Sequence, residues 1–150
     1  ERIVLIAFGG FAGDSGASAW PAAPGVRYLA PGSRESVGGN VTAIESLDMD
    51  FTDLVRSVDA VLTKPGYGTF TEAACNGAPV LYVRRDDWPE QDCLIEWLEE
   101  NACCLDTSAA SLARGELRDD LERLWRKPRP EPPFPRGAEE AARLIAGYLE

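Results

Sequence analysis

The chain has 150 residues, 25 of them acidic and 15 basic, no histidine, and a formal net charge of −10. That balance argues against a nucleic-acid backbone as partner, because phosphate tracts are held by clustered cations. The missing histidine excludes His-dependent triads, His-assisted cysteine nucleophiles and His-bearing zinc sites built from this chain alone. One domain of this length buries about 70 % of its unfolded surface. No apolar run reaches the ~20 residues of a membrane span, and the opening residues read as a strand rather than a secretory n-region. Cys75, Cys93, Cys103 and Cys104 show neither CxxC nor metal spacing. They read as reduced thiols packed as small hydrophobes, the expectation for a cytoplasmic protein. The chain opens on Glu1 without a methionine and reads as an excised domain spanning 1–150.

In chain order, Ile3–Phe8 is a continuous apolar run, as a parallel strand covered on both faces requires. The glycine loop Gly9-Gly10-Phe11-Ala12-Gly13-Asp14-Ser15-Gly16 follows. It is a poor dinucleotide fingerprint, since GxGxxG needs glycine at the third place, here Phe11. Gly25–Ala30 and Asn40–Ile44 predict short strands around the turn Pro31-Gly32-Ser33. Phe51–Val58 carries apolar residues at 51, 54, 55 and 58, a helical stripe. Ala60–Thr63 predicts a strand, Thr69–Asn76 a helix ended by Gly77, and Pro79–Val83 another strand. Pro89 opens a helix through Glu100, and Ala102–Leu105 is the last strand, with Cys103 and Cys104 facing opposite ways. Ser111–Leu124 has helical periodicity that Gly115 splits or leaves whole. The proline-rich segment 127–136 is a stiff linker to an amphipathic helix over 137–149. Alternating strands and helices imply a doubly wound, Rossmann-like parallel α/β sheet of about six strands with helices on both faces. Ligands of such sheets bind at the carboxyl ends of the strands, where both glycine turns lie.

The stretch carrying most chemistry is Val61 to Ala74. A strand runs into a turn built on Gly66 and Gly68, and a helix is expected to open at Thr69. Unpaired N–H groups and the positive end of the helix dipole make that turn an anion site. Glu72, three residues further, suits ribose hydroxyls beside a bound diphosphate. Thr69 and Glu72 also spell a capping box, and both readings stand on local grammar. Lys64 reads either as a phosphate partner or as a solvated charge at a strand end. Arg84 and Arg85 read either as phosphate ligands or as a charge cluster neutralised by Asp86 and Asp87.

The run Lys64-Pro65-Gly66-Tyr67-Gly68-Thr69-Phe70-Thr71-Glu72 resembles the donor-binding signature of GT-B glycosyltransferases, and Asn76–Val83 resembles their Gly-x-Pro turn into the next strand. The segment also resembles the glycosyltransferase-like part of plant arabinokinase-type sugar kinases. The resemblance implies one GT-B half, a C-terminal donor-binding domain with strand order 3-2-1-4-5-6. It implies diphosphate at Gly66, Tyr67, Gly68 and Thr69, helped by Lys64 and the Gly9-Gly10 loop, and ribose at Glu72. Glu90 and Gln91, with Arg85 nearby, match the Asp/Glu-Gln pair that binds the donor sugar. The Asn that follows three residues later in the family is Leu94 here. Base recognition is implied near Ile44–Leu47, through backbone groups, with uridine expected by family frequency. No metal cofactor is implied, and the catalytic base belongs to an N-terminal acceptor half. The expected function is therefore donor binding as a UDP-sugar transferase half, without turnover by this chain alone. The other reading is a non-catalytic module for nucleotide-sugar sensing or partner docking. The terminal helix is implied to cross onto the acceptor half, with self-association as the alternative cover for its apolar face.

Overall fold

The computed structural model describes residues 1–9, 20–21, 23–32 and 40–149. Six strands form one sheet: β1 (Arg2–Ile6), β2 (Val26–Ala30), β3 (Val41–Ala43), β4 (Ala60–Thr63), β5 (Val80–Val83) and β6 (Cys104–Thr107). Their order is β3-β2-β1-β4-β5-β6 and every pairing is parallel. The helices are α1 (Phe51–Ser57), α2 (Tyr67–Cys75), α3 (Gln91–Asn101), α4 (Ala109–Arg114), α5 (Arg118–Arg126) and α6 (Gly137–Gly147). This is the doubly wound sheet that the alternation of elements implies, in the strand order that the GT-B resemblance implies.

The unbroken apolar runs follow from two covered faces. On β1, Leu5 enters the core beneath α1, α2 and α3, shared with Val55, Val61, Phe70, Ala73 and Leu98. Its neighbours Val4 and Ile6 enter the opposite core, closed by Leu117, Leu121 and Leu124 around α5. Cys103 and Cys104 divide between the same two cores, as adjacent extended residues must.

Several boundaries differ from the sequence expectation. β1 ends at Ile6 rather than Phe8, and α3 begins at Gln91 rather than Pro89. The expected helix over 111–124 is two helices, because Gly115 takes a left-handed φ of 68° and caps α4. A Cβ there would meet Trp20 Cγ at 2.4 Å, so the break is also a packing site for the indole. Ser108 caps the other end of α4, its Oγ accepting from the Ser111 N–H at 2.9 Å.

Asp59 clasps the amino-terminal ends of the central strands β1 and β4. Its carboxylate accepts from the Ile3 N–H at 2.8 Å and from Arg2 Nη1 at 2.6 Å, while its carbonyl accepts from Trp125 Nε1 at 3.0 Å. The linker runs on from α5, with Lys127 Nζ donating to the Cys104 carbonyl at 2.7 Å and Pro132 lying against Gly77. α6 buries none of its residues; Leu144, Ile145, Tyr148 and Leu149 are exposed. Among the described residues no helix is long and apolar enough to cross a membrane.

Candidate functional site

β1 and β4 are neighbours, but the chain leaves them toward opposite edges of the sheet. The carboxyl ends of such a pair bound the crevice in which doubly wound sheets hold ligands. Two contacts hold the turns beyond them together. The Ala7 N–H donates to the Leu62 carbonyl at 2.9 Å, and the buried Thr63 hydroxyl donates to the Ala7 carbonyl at 2.6 Å. Gly9 stands on the β1 side with a left-handed φ of 52°. Gly10 and the rest of the glycine loop to Gly16 lie outside the described residues.

On the β4 side, Lys64, buried Pro65 and Gly66 lead directly into α2. Gly66, in extended conformation, is the N-cap, and its carbonyl accepts the first helical hydrogen bond from the Phe70 N–H at 3.1 Å. The helix therefore opens at Tyr67, two residues before the expected Thr69. Phe70 decides this, because its ring is fully buried beside Tyr82 with centroids 5.9 Å apart. Seating it winds the preceding turn. Tyr67, Gly68 and Thr69 thus occupy the first turn, whose N–H groups have no helical partner. The Thr69–Glu72 capping box does not form. Thr69 is the third helical residue rather than the cap, and Glu72 is a full turn past the end it was expected to cap. Glu72 is half-buried, and its carboxylate has no ion-pair or hydrogen-bond partner among the described residues.

The loop from β5 to α3 stands beside this turn. The Gln91 side chain holds the Arg85 peptide at both ends: Oε1 accepts from the Arg85 N–H at 2.9 Å, and Nε2 donates to the Arg85 carbonyl. Arg84 pairs with Asp92, and Arg85 Nε reaches Asp87 at 3.2 Å while its guanidinium lies 5.2 Å above the Trp88 ring. The Asp87 carboxyl is held below its ordinary range, first by the Arg85 hydrogen bond and charge, with Lys64 adding to the same field. Tyr67 joins the two segments. Its hydroxyl donates to Glu90 Oε2 at 2.9 Å, and its ring meets Trp88 edge-on at 5.7 Å. That hydrogen bond to a carboxylate raises the phenol above its ordinary range. The structure thus gathers Lys64, Tyr67, Arg85, Glu90 and Gln91 around the start of α2. Leu94, in the family's Asn position, points into the core.

A third part lies at the carboxyl end of β3, where base recognition is implied. An open cavity of about 470 Å³ is lined by Ile44, Glu45, Asp48, Met49, Asp50 and Asp53. Glu45 is partly committed, accepting from the Gly32 N–H at 3.2 and 3.3 Å. Sequence reasoning missed this acidic lining, although its signal is plain in four carboxylates within nine residues. It also missed the Tyr67–Glu90 contact, which joins residues 23 apart.

The sheet has the fold of one half of the GT-B glycosyltransferases. Two solved glycosyltransferases share it, each with 17 % sequence identity. The glycotransferase of kitacinnamycin superposes with a TM-score of 0.59 over 85 % of this chain and 36 % of its own. SnogD of Streptomyces nogalater gives 0.55 over 97 % of this chain and 43 % of its own. In sequence the chain is homologous to an uncharacterized glycosyltransferase of Methanopyrus kandleri, 28 % identical over 120 residues, 79 % of this chain and 35 % of that protein. L-arabinokinase of Arabidopsis thaliana matches over a shorter stretch, 35 % identical over 71 residues, 47 % of this chain and 7 % of that protein. The chain thus spans about a third of the first relative and a small fraction of the second. No protein-family profile matches it.

Proposed function

We propose that this chain is the donor-binding half of a glycosyltransferase, taking a nucleoside diphosphate sugar at the β1–β4 crevice. The observation that carries the reading is the opening of α2 there, with the N–H groups of Tyr67, Gly68 and Thr69 unpaired by the helix and Glu72 left without a partner among the described residues. The diphosphate sits on those groups and the helix dipole, with Lys64 and Gly9 alongside. Glu72 takes the ribose hydroxyls. The base enters the cavity beyond β3, and uridine is expected by family frequency. Glu90 faces the sugar, and Gln91 and Arg85 shape the loop that carries it. Departure of the nucleoside diphosphate is stabilised by fixed N–H dipoles and the Lys64 cation, so transfer needs no bound metal. The acceptor and the general base belong to another half, or to a partner subunit, and the 150 residues alone bind without turnover. Four unpaired thiols suit a reducing, cytoplasmic setting.

The test is a thermal-shift and calorimetric titration with UDP, and with GDP, ADP and dTDP as controls, on the chain and on Glu72→Gln. A ligand at about 100 times its dissociation constant stabilises by about 2.7 kcal/mol. Selective binding that is lost in Glu72→Gln at unchanged apo stability supports the reading. Absence of binding to every nucleotide defeats it.

A second reading, a non-catalytic module for sensing or docking, is favoured by one observation. Leu94 is committed to the core, and the Gln91 amide is engaged by the Arg85 peptide, so two sugar-binding positions of the family offer no open polar group. Supplying an acceptor half and assaying transfer separates the two, since a degenerate module binds nucleotide and stays inactive.

A further inference from the structure

Tyr67 touches both ends of the site just described. As the first residue of α2, it contributes one of the N–H groups left unpaired at the helix start. Its hydroxyl reaches across to Glu90 Oε2 at 2.9 Å. Burial does not explain the ring's position, because the residue is 59 % exposed. What holds it is the Glu90 hydrogen bond and the edge contact with Trp88 at 5.7 Å, and Trp88 lies under the Arg85 guanidinium. Arg85 is fixed in turn by Gln91.

We propose that Tyr67 is a positioning residue for the donor sugar: its main chain meets the diphosphate while its hydroxyl sets the Glu90 carboxylate at the sugar end of the site. This rests on the donor reading above and adds to it a residue that distinguishes a sugar nucleotide from the bare nucleotide. An ionised carboxylate offers about four lone-pair positions. Tyr67 occupies one and leaves the others to accept sugar hydroxyls, so the contact orients Glu90 without blocking it. An exposed Glu side chain otherwise loses its rotamer freedom when it binds. Restraining it in advance removes that cost from sugar binding and leaves nucleotide binding untouched.

Calorimetric titration of the full chain tests this with UDP, UDP-glucose, UDP-N-acetylglucosamine, GDP and GDP-mannose. The variants are Tyr67→Phe, Glu90→Ala and the double variant, each first checked by melting temperature. Tyr67→Phe keeps the ring and loses the hydroxyl. The expected result is a roughly 2- to 12-fold weakening toward the sugar nucleotide, the range for releasing one immobilised side chain, with affinity for the matching diphosphate unchanged. Glu90→Ala weakens the same ligand, and the double variant is no weaker than Glu90→Ala alone, because without the carboxylate the Tyr67 hydroxyl has nothing left to position. The inference is overturned if the ratio of sugar nucleotide to diphosphate affinity stays put for every pair, if both members weaken equally, or if the two losses add. Failure of the unmodified chain to bind any of the five ligands instead overturns the donor reading itself, and the Tyr67 role with it.

Discussion

Replacing Gln91 separates a ligand-binding side chain from one that holds a loop. The Arg85 N–H can only donate and its carbonyl can only accept, so the orientation of the Gln91 amide is dictated by chemistry. Gln91→Ala removes both hydrogen bonds at a half-buried position. At about 0.5–1.5 kcal/mol each, the loss is roughly 1–3 kcal/mol, or about 2–4 °C of melting temperature per kcal/mol in a domain of this size. Gln91→Glu is more discriminating. It keeps the acceptor for the Arg85 N–H but turns a second oxygen onto the Arg85 carbonyl, which raises the folded-state pKa of the new carboxyl. Stability from a group with a raised folded pKa is present below its unfolded value, about 4.3, and is lost as pH rises through the folded value. Urea unfolding should therefore place Gln91→Glu near the unmodified chain at pH 4 and clearly below it at pH 7. If Gln91→Ala unfolds at the same urea midpoint as the unmodified chain, the clamp is not a structural contact and the reasoning fails.

Other outcomes follow from the same geometry. For Asp59, partial burial acts to raise the pKa, but the Ile3 N–H and the Arg2 guanidinium outweigh it and hold the carboxyl below its ordinary range. Its contribution is present above the unfolded pKa, about 3.9, and lost as pH falls through the lower folded value. Asp59→Asn should thus cost about 1–2 kcal/mol at pH 7 in urea titrations and less at pH 3. Gly115→Ala combines a strained left-handed φ with a methyl 2.4 Å from Trp20 Cγ, and a loss of roughly 2–5 kcal/mol is expected on chemical denaturation. Thiol labelling at pH 8 should modify exposed Cys93 first and leave Cys103 and Cys104 protected until unfolding. Burial shields both and pushes the Cys104 thiol up to about 11; early labelling of either would refute the packing described.

How much of this was legible beforehand depends on the range of the interaction. The six strands were readable because each is a short apolar run bounded by turn residues, and their continuous character announced a sheet covered on both faces. The glycine turn after β4 was readable because a tight strand-to-helix turn draws on few residue types. The start of α2 was misplaced because Thr69 and Glu72 form a convincing local cap, while the deciding contact, Phe70 against Tyr82, comes from another strand. Gln91 was visible as a polar residue at the ligand edge, but its engagement with the Arg85 peptide depends on how the loop folds back. Nor does any pattern between residues 67 and 90 announce the hydrogen bond that joins them.

By itself the sequence determined the class of fold, the absence of histidine chemistry, the acidic character of the molecule and the location of the glycine turn between β4 and α2. These follow from composition and from periodicities of two and 3.6 residues, which the backbone enforces locally. The tertiary structure alone decided where α2 begins, which carboxylates are engaged among the described residues, that Tyr67 reaches Glu90, and that Asp59 joins the amino-terminal ends of β1 and β4 across 56 residues from Ile3. Such contacts depend on packing between distant segments, and side-chain direction at a loop or helix end is set by what the opposing element presents.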